Sequence, residues 1–235
     1  MRPANDWLDR LPTDRLLAEM SLWSADLGRM SEEIARVDGL TDLYHLDVAD
    51  GHFSPDLLLF PDLVRLIRSR TAKPLHVHLM VSDDILTGQI RQFADSGADA
   101  ISIHAENRRL DEGLALIAEL GLVAGIVLQL ATPVAAVEGH LDRIGILTLL
   151  GTRIGVKGQG LDDQAPARIG EAGAMIARAG LPRRILLAAD GGNREHTVPS
   201  LRGAGAETVV LGSLAFEAPD FPARMAWLHA LPADV

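Results

Sequence analysis

Short apolar runs alternate with amphipathic stretches along the whole chain. The runs are short, bounded by polar or glycine residues, and rich in Leu, Ile, Val and Ala, which is typical of parallel strands covered by helices on both faces. The predicted strands are Ala18–Trp23, Asp42–Val48, Leu75–Met80, Ala100–His104, Val123–Leu128, Ile144–Leu150, Ile185–Ala189 and Thr208–Leu211.

The stretches between the strands carry apolar positions at helical spacing, and glycines that suit a left-handed helix end follow several of them. The predicted helices are Pro61–Arg70, Ile85–Ser96, Leu110–Glu119, Val134–His140, Ala165–Ala179 and Glu195–Ala204. Eight strands with helices between them predict an α/β fold, a closed (β/α)8 TIM barrel, rather than an open sheet. We assign residues 17–235 to this single domain and residues 1–16 to an N-terminal extension, expected to be a helix packed on the barrel.

Composition narrows the possible partners. The net charge of −10 argues against nucleic acid, whose phosphates require a basic surface. The chain has no cysteine, which excludes a disulfide framework and a thiolate nucleophile. No apolar run reaches the roughly 18 residues of a membrane span, and the charged first residues do not resemble a secretory signal. We therefore expect a cytoplasmic protein that contacts neither membrane nor nucleic acid.

Polar residues gather at the predicted strand ends, where the chemistry of such barrels takes place. His45 and Asp47 alternate in the second strand and therefore share one face. His76 and His78 do the same in the third strand, with His76 one layer deeper, and Asp190 ends the seventh. Two imidazoles and two carboxylates meeting at one barrel mouth predict a site for a divalent first-row metal ion. Taken singly, each residue could also be a buried polar group that serves the structure alone.

Glycines after the last two strands predict a phosphate site. Gly191 and Gly192 follow the seventh strand, and Gly212 and Ser213 follow the eighth. Glycine lets backbone N–H groups approach an anion, and barrels often bind phosphate at this position. The alternative is that both segments are tight turns that need glycine for their backbone geometry.

The chain resembles the ribulose-phosphate 3-epimerase family, including relatives that act on allulose 6-phosphate, from about Ser21 to Phe216. The segments that carry the resemblance are Ser21–Asp26, His45–Pro55, Val77–Val81, Ala131–Pro133, Ala189–Gly192 and Gly212–Phe216.

The resemblance implies inversion of C3 of a ketose phosphate. His45, Asp47, His78 and Asp190 would hold one divalent ion (Zn²⁺, Fe²⁺, Mn²⁺ or Co²⁺), and Asp47 and Asp190 would move protons on opposite faces of an enediolate. A homo-oligomer, either a dimer or a hexamer, is also implied. The substrate-binding residues would be Ser21, Met80, Gly155, Gly158, Gln159, Gly191, Gly192, Gly212 and Ser213.

The chain departs from the family pattern in the substrate pocket. Met80 remains, but Ala49 and Leu150 stand where the family has two further methionines. Lys157 adds a positive charge to the loop after the sixth strand, and we treat it as a further candidate phosphate contact. These differences predict an altered choice of ketose phosphate rather than a loss of chemistry. His104 and Glu106 are expected to form a structural hydrogen bond.

Other functions remain open on the sequence alone. A ketose–aldose isomerase would use the same enediolate and exchange a proton at C1. A non-catalytic sugar-phosphate binding protein would have no need of two facing proton carriers. A metal-dependent hydrolase fits less well, because it would need an open metal position for a water nucleophile and more ligands at the strand ends.

Overall fold

The computed structural model describes residues 2–233 and shows eight parallel strands that close into a barrel in sequential order. The predicted (β/α)8 barrel is confirmed, since β1 pairs with β2 on one side and with β8 on the other. The strands are β1 Leu17–Ser21, β2 Leu43–Ala49, β3 Leu75–Met80, β4 Ala100–His104, β5 Val123–Leu128, β6 Ile146–Leu150, β7 Leu186–Asp190 and β8 Thr208–Leu211.

Helices follow the strands and cover the outside of the barrel, where their apolar faces meet Leu46 and Val48 of β2 and equivalent outward residues. The helices are α1 Met30–Val37, α2 Pro61–Arg68, α3 Leu86–Ser96, α4 Leu110–Glu119, α5 Ala165–Ala179, α6 Val198–Gly203, α7 Ser213–Phe216 and α8 Phe221–His229. Among the described residues, none of these helices is long and apolar enough to cross a membrane.

Several element boundaries differ from the prediction. β1 ends at Ser21 rather than Trp23, because Leu22–Ser24 form a 3-10 turn closed by the bond from Ala25 N–H to the Leu22 carbonyl. The segment Val134–Arg143 is a 3-10 helix rather than an α-helix. The sixth helix begins at Val198, since residues 194–197 form a turn in which Thr197 N–H donates to the Arg194 carbonyl. Three helices, α1, α7 and α8, were not predicted.

The sequence had suggested that the N-terminal extension is a helix, and the structure shows that it is not. Residues 4–10 form successive turns, such as the one closed by Trp7 N–H and the Ala4 carbonyl. Trp7 and Leu8 are buried against side chains at the lower end of the barrel. The barrel residues of this cluster are Leu17, Leu43, Ala100, Ile146 and Leu186. The extension therefore closes the end of the barrel opposite the strand C-termini. The domain bounds at residues 1 and 235 lie outside the described residues.

The barrel interior changes character along its axis. Above the apolar cluster at the lower end lies a layer of polar side chains that are fully buried. Its members are Glu19, His45, His76, Ser102, Thr148 and Thr208. A buried polar group is costly unless its hydrogen bonds are made, and every member except the Thr148 hydroxyl makes them within the described residues. The layer is therefore under tight geometric constraint.

We expect Trp7→Ala to lower the free energy of unfolding by about 3 kcal/mol, because it removes a large buried side chain from the lower barrel closure. Chemical denaturation followed by circular dichroism measures the change. Leu27→Ala is the matched control, because Leu27 is 58% exposed and should shift stability by less than about 0.5 kcal/mol. Equal effects of the two substitutions would contradict the assigned role of the extension.

Candidate active site

A cavity of about 350 Å³ opens at the C-terminal ends of the strands, where barrel chemistry is expected. Almost every residue predicted for the site borders it. The predicted residues in its wall are Ser21, Asp47, His78, Met80, Gly155, Lys157, Gly158, Gln159, Asp190, Gly191, Gly192, Gly212 and Ser213. His45 is fully buried and lies below the cavity floor.

Four of these side chains converge on one point. Strand alternation turns His45 and Asp47 of β2 into the barrel, where they meet His78 of β3 and Asp190 of β7. One ligand atom from each residue lies within 4.8 Å of the other three. The structure thus brings together the four residues for which the sequence predicted a metal site.

The spacing of these atoms suits a metal ion. His45 Nε2 lies 3.1 Å from Asp47 Oδ1, 3.3 Å from His78 Nδ1 and 3.6 Å from Asp190 Oδ2. His78 Nδ1 lies 3.3 Å from Asp47 Oδ1 and 3.5 Å from Asp190 Oδ2. Tetrahedral ligands at zinc bond lengths of about 2.0–2.1 Å are about 3.3–3.4 Å apart. The donor set, two imidazole nitrogens and two carboxylates, also suits Zn²⁺ or a similar ion.

Opposite charges hold the two ligands of β2 together. Burial lowers the pKa of His45, but the carboxylates of Asp47 and Asp190 outweigh burial and leave that pKa well above its ordinary value. Burial raises the pKa of Asp47, and the nearby His45 and His78 reverse this and hold it below the usual range. The imidazoles and carboxylates of the cluster thus each favour the charged form of the other.

A carboxylate that the sequence reading did not single out contacts His45 from below. Glu19 Oε1 accepts a hydrogen bond of 2.7 Å from His45 Nδ1. Burial would raise the pKa of Glu19, but His76 and His45 outweigh it and lower the pKa to about 2. The signal in the sequence was a glutamate two residues before Ser21 in a buried strand, on the same face of that strand.

His78 is oriented by a second chain of hydrogen bonds. His78 Nε2 lies 2.9 Å from His104 Nε2, and His104 Nδ1 lies 3.1 Å from Glu106 Oε2. Burial lowers the pKa of His104 to about 4, so this ring is neutral. With His104 Nδ1 donating to the carboxylate, its Nε2 accepts from His78, which leaves His78 Nδ1 free to face the cluster. Glu106 in turn accepts from the Thr132 hydroxyl. The predicted His104–Glu106 bond is present.

Ser21 and the apolar wall shape the space above the cluster. The Ser21 hydroxyl donates to Asp47 Oδ2 at 2.8 Å and fixes the orientation of that carboxylate. Met80 and Leu150 both border the cavity. Ala49 is buried at the end of β2 but is not part of the cavity wall. Of the two positions where methionine is replaced, only Leu150 therefore borders the cavity.

The loops after β7 and β8 border one end of the cavity, as expected for a phosphate site. Gly191 and Gly192 have positive φ values of +88° and +73°. A Cβ atom on Gly192 would lie 2.7 Å from Leu161 Cα, and one on Gly191 would collide with the Thr152 hydroxyl. Glycine is thus required for close packing of the loops, in addition to any contact with an anion. Arg194 borders the same end and was not predicted.

The loop after β6 covers the cavity and is attached to the first βα loop. Lys157 Nζ donates to the Trp23 carbonyl at 2.6 Å and lies 4.7 Å from the centre of the Trp23 ring. The Gln159 amide donates to the Arg153 and Val156 carbonyls and so holds the loop in a compact turn. Gln159 therefore stabilises the loop that covers the cavity, and Lys157 holds that loop against the first βα loop.

These features define a class: a barrel with a candidate metal centre at the strand ends, below a cavity bordered by two glycine loops. The chain belongs to the ribulose-phosphate 3 epimerase family, which matches residues 17–216. The resemblance seen in the sequence is thereby confirmed.

Two relatives illustrate the kinship. The chain is 37% identical over 205 residues to ribulose-phosphate 3-epimerase 1 of Cupriavidus necator, covering 85% of this chain and 84% of that protein. It is 36% identical over 202 residues to ribulose-phosphate 3-epimerase of Bacillus subtilis, covering 85% and 92%. The structure of 3-hexulose-6-phosphate synthase from Salmonella typhimurium matches with a TM-score of 0.66 at 16% identity, covering 91% and 96%, which concerns the fold alone.

We expect Zn²⁺ or Co²⁺, added to metal-free protein at 1,000 times its Kd, to stabilise the folded state by about 4 kcal/mol. Losing a residue that only hydrogen-bonds a metal ligand typically weakens metal binding roughly 10- to 100-fold. His78→Ala should weaken it by more, because it removes a ligand itself. Calorimetric titration and thermal unfolding measure both effects. His196→Ala is the control, since His196 is exposed and outside the cluster. Equal loss in both variants would contradict the assigned site.

Proposed function

We propose that the protein inverts C3 of a ketose phosphate, with ribulose 5-phosphate the first substrate to test and related tetrulose, pentulose or hexulose phosphates as alternatives. The observation that carries the proposal is the cluster of two histidines and two aspartates at the floor of a cavity bordered by glycine loops, in a chain of this family.

Asp47 and Asp190 are the proposed proton carriers. They lie on β2 and β7, which are separated in the barrel by β1 and β8, so their carboxylates approach the space above the cluster from different strands. One carboxylate removes the C3 proton and the other delivers a proton to the opposite face. The roles exchange when the reaction runs in reverse. The Ser21 hydroxyl keeps Asp47 in place and is close enough to contact the substrate.

His45, Asp47, His78 and Asp190 would hold the divalent ion, whether Zn²⁺, Fe²⁺, Mn²⁺ or Co²⁺. When bound there, such an ion would supply Lewis-acid chemistry, polarising the substrate carbonyl and stabilising the negative charge that develops as the C3 proton leaves. Met80 and Leu150 form an apolar part of the cavity wall and exclude water from that side of the cavity. That shielding strengthens the interactions of charged groups within the cavity.

The substrate phosphate is proposed to bind at Gly191, Gly192, Gly212 and Ser213, through backbone N–H groups. Gly155, Gly158 and Gln159 shape the loop that covers the sugar. Lys157 is a further proposed contact, because the positive charge of its ammonium group attracts an anionic ligand. Its bond to the Trp23 carbonyl fixes the ammonium group at the cavity wall.

We also propose that the protein is a cytoplasmic homo-oligomer, either a dimer or a hexamer. The exposed apolar side chains Leu57 and Phe60, 80% and 57% accessible, are consistent with a subunit contact near the loop that precedes α2. Light scattering coupled to gel filtration determines the assembly.

We expect the metal-loaded protein in D₂O to incorporate deuterium at C3 of ribulose 5-phosphate and to form its C3 epimer, observed by proton NMR. Asp47→Asn and Asp190→Asn should each lower kcat by about 10³-fold, because each removes one proton carrier. Asp84→Asn, an exposed carboxylate outside the cavity, is the control.

Other outcomes of this experiment would change the assignment. Exchange at C1 would indicate a ketose–aldose isomerase instead. No exchange with any ketose phosphate of a broad panel would indicate a sugar-phosphate binding protein.

We expect Lys157→Met to raise KM for the phosphorylated ketose about tenfold, the effect of losing one charge-assisted hydrogen bond. Methionine keeps an unbranched apolar stem beside Trp23 and removes the ammonium group, with its charge and its hydrogen bond to the Trp23 carbonyl. Initial-rate kinetics measure KM and kcat separately. An unchanged KM would contradict a phosphate contact and leave Lys157 with a loop-holding role alone.

A further inference from the structure

Glu19 lies at the centre of the polar layer below the proposed metal site, where no solvent reaches it. It belongs to β1, two residues before Ser21, and strand alternation turns both side chains into the barrel. A carboxylate in this position is costly unless several donors satisfy it. Glu19 does not border the cavity, so it cannot contact the substrate.

One oxygen of Glu19 is shared between two imidazoles. Oε1 lies 2.7 Å from His45 Nδ1 and 2.7 Å from His76 Nδ1. Nδ1–H donates in both rings, because a carboxylate can only accept. The other Glu19 oxygen lies 3.5 Å from the Thr208 hydroxyl. This arrangement leaves His45 with its Nε2 directed at Asp47, Asp190 and His78.

Glu19, His45 and His76 could themselves be taken for a second metal site, since their ligand atoms also lie close together. The distances argue against it. Both nitrogens are 2.7 Å from the same oxygen, which is a hydrogen-bond length and shorter than the roughly 3.3 Å between ligands of one zinc ion. In the upper group, His45 Nε2 lies 3.1–3.6 Å from the carboxylate oxygens of Asp47 and Asp190, which is the spacing of ligands around one ion. The lower group of Glu19, His45 and His76 has the spacing of two hydrogen-bond donors and their acceptor.

We propose that Glu19 is a positioning residue for His45: its carboxylate holds the ring by Nδ1–H so that Nε2 is unprotonated and aimed at the metal ion. The inference rests on the proposed metal-dependent function. Outer carboxylates of this kind fix the tautomer and orientation of a ligating histidine and raise its basicity. His45 cannot rotate away, because any other orientation would leave the buried carboxylate without one of its two N–H donors.

His76 has a supporting position in this arrangement. Its Nε2 lies 2.6 Å from the Ser102 hydroxyl, which anchors the ring from the side opposite Glu19. With Nδ1–H donating to Glu19, the His76 Nε2 is placed to accept from the Ser102 hydroxyl. His76 therefore steadies the carboxylate through a hydrogen bond that is itself held in place from the other side of the ring.

The test is the affinity of metal-free protein for Zn²⁺, measured by competition with a chelating indicator. We expect Glu19→Gln to raise the Zn²⁺ Kd about 10- to 100-fold. Glutamine keeps the side-chain shape and one acceptor oxygen for the two rings, but it lacks the negative charge that raises the basicity of His45. Absorption spectra of the Co²⁺-loaded protein should also change in Glu19→Gln, because one ligand becomes a weaker donor to the ion.

Ser102→Ala is the matched control. It removes a buried hydrogen bond from the same layer and leaves the Glu19–His45 contact intact. This variant should lose stability but keep the wild-type Zn²⁺ affinity and Co²⁺ spectrum. If Glu19→Gln likewise loses stability and binds Zn²⁺ as tightly as wild type, Glu19 serves packing alone and the inference is overturned. Absence of Zn²⁺ and Co²⁺ binding to the wild-type protein would instead overturn the proposed function.

Nuclear magnetic resonance of the Zn²⁺-loaded wild-type protein decides the question should Glu19→Gln fail to fold. A proton on His45 Nδ1, shifted downfield and protected from solvent exchange, is the expected result. Its absence would contradict the hydrogen bond on which the inference depends.

Discussion

Buried negative charge is the constraint on which the interior of this barrel depends. Glu19 is fully buried, and Asp47 and Asp190 lie above it at the cavity floor. Carboxylates in such surroundings are tolerated only when cations or N–H groups compensate them. The histidines supply that compensation, because His45 lies between Glu19 on one side and the two aspartates on the other. The candidate metal centre is thereby held in shape by the cost of leaving its carboxylates unpaired.

The barrel architecture makes this arrangement possible. Alternate residues of each strand face inward, so β1 contributes Glu19 and Ser21 to successive layers, and β2 contributes His45 and Asp47. The lower end is closed by Trp7 and Leu8, which keep water from the polar layer. The upper end is open to the cavity. The inward-facing side chains therefore differ in role along the barrel axis. They close the lower end, orient the candidate ligands in the middle, and line the cavity at the upper end.

The cavity has a charged floor and a mixed wall. Asp47, His78 and Asp190 form the floor, with His45 beneath them, and Leu150, Lys157 and Arg194 are part of the wall. Lys157 binds the Trp23 carbonyl and faces the Trp23 ring, so one side chain joins the loop after β6 to the loop after β1. Differences in the choice of sugar phosphate would arise at this wall rather than at the floor.

The sequence by itself determined the barrel and indicated which four side chains meet in its upper layer. Apolar runs separated by amphipathic stretches specify strands and helices through local periodicity, and His45, Asp47, His78 and Asp190 stand at strand ends, where position alone indicates a role. The turns of residues 4–10 and the 3-10 helix Val134–Arg143 were misread, because packing on the barrel overrides weak local preference. Only the tertiary structure decided what Glu19 does. Its two partners, His45 of β2 and His76 of β3, follow it in the chain by 26 and 57 positions. Contacts over such separations depend on barrel closure rather than on any local pattern.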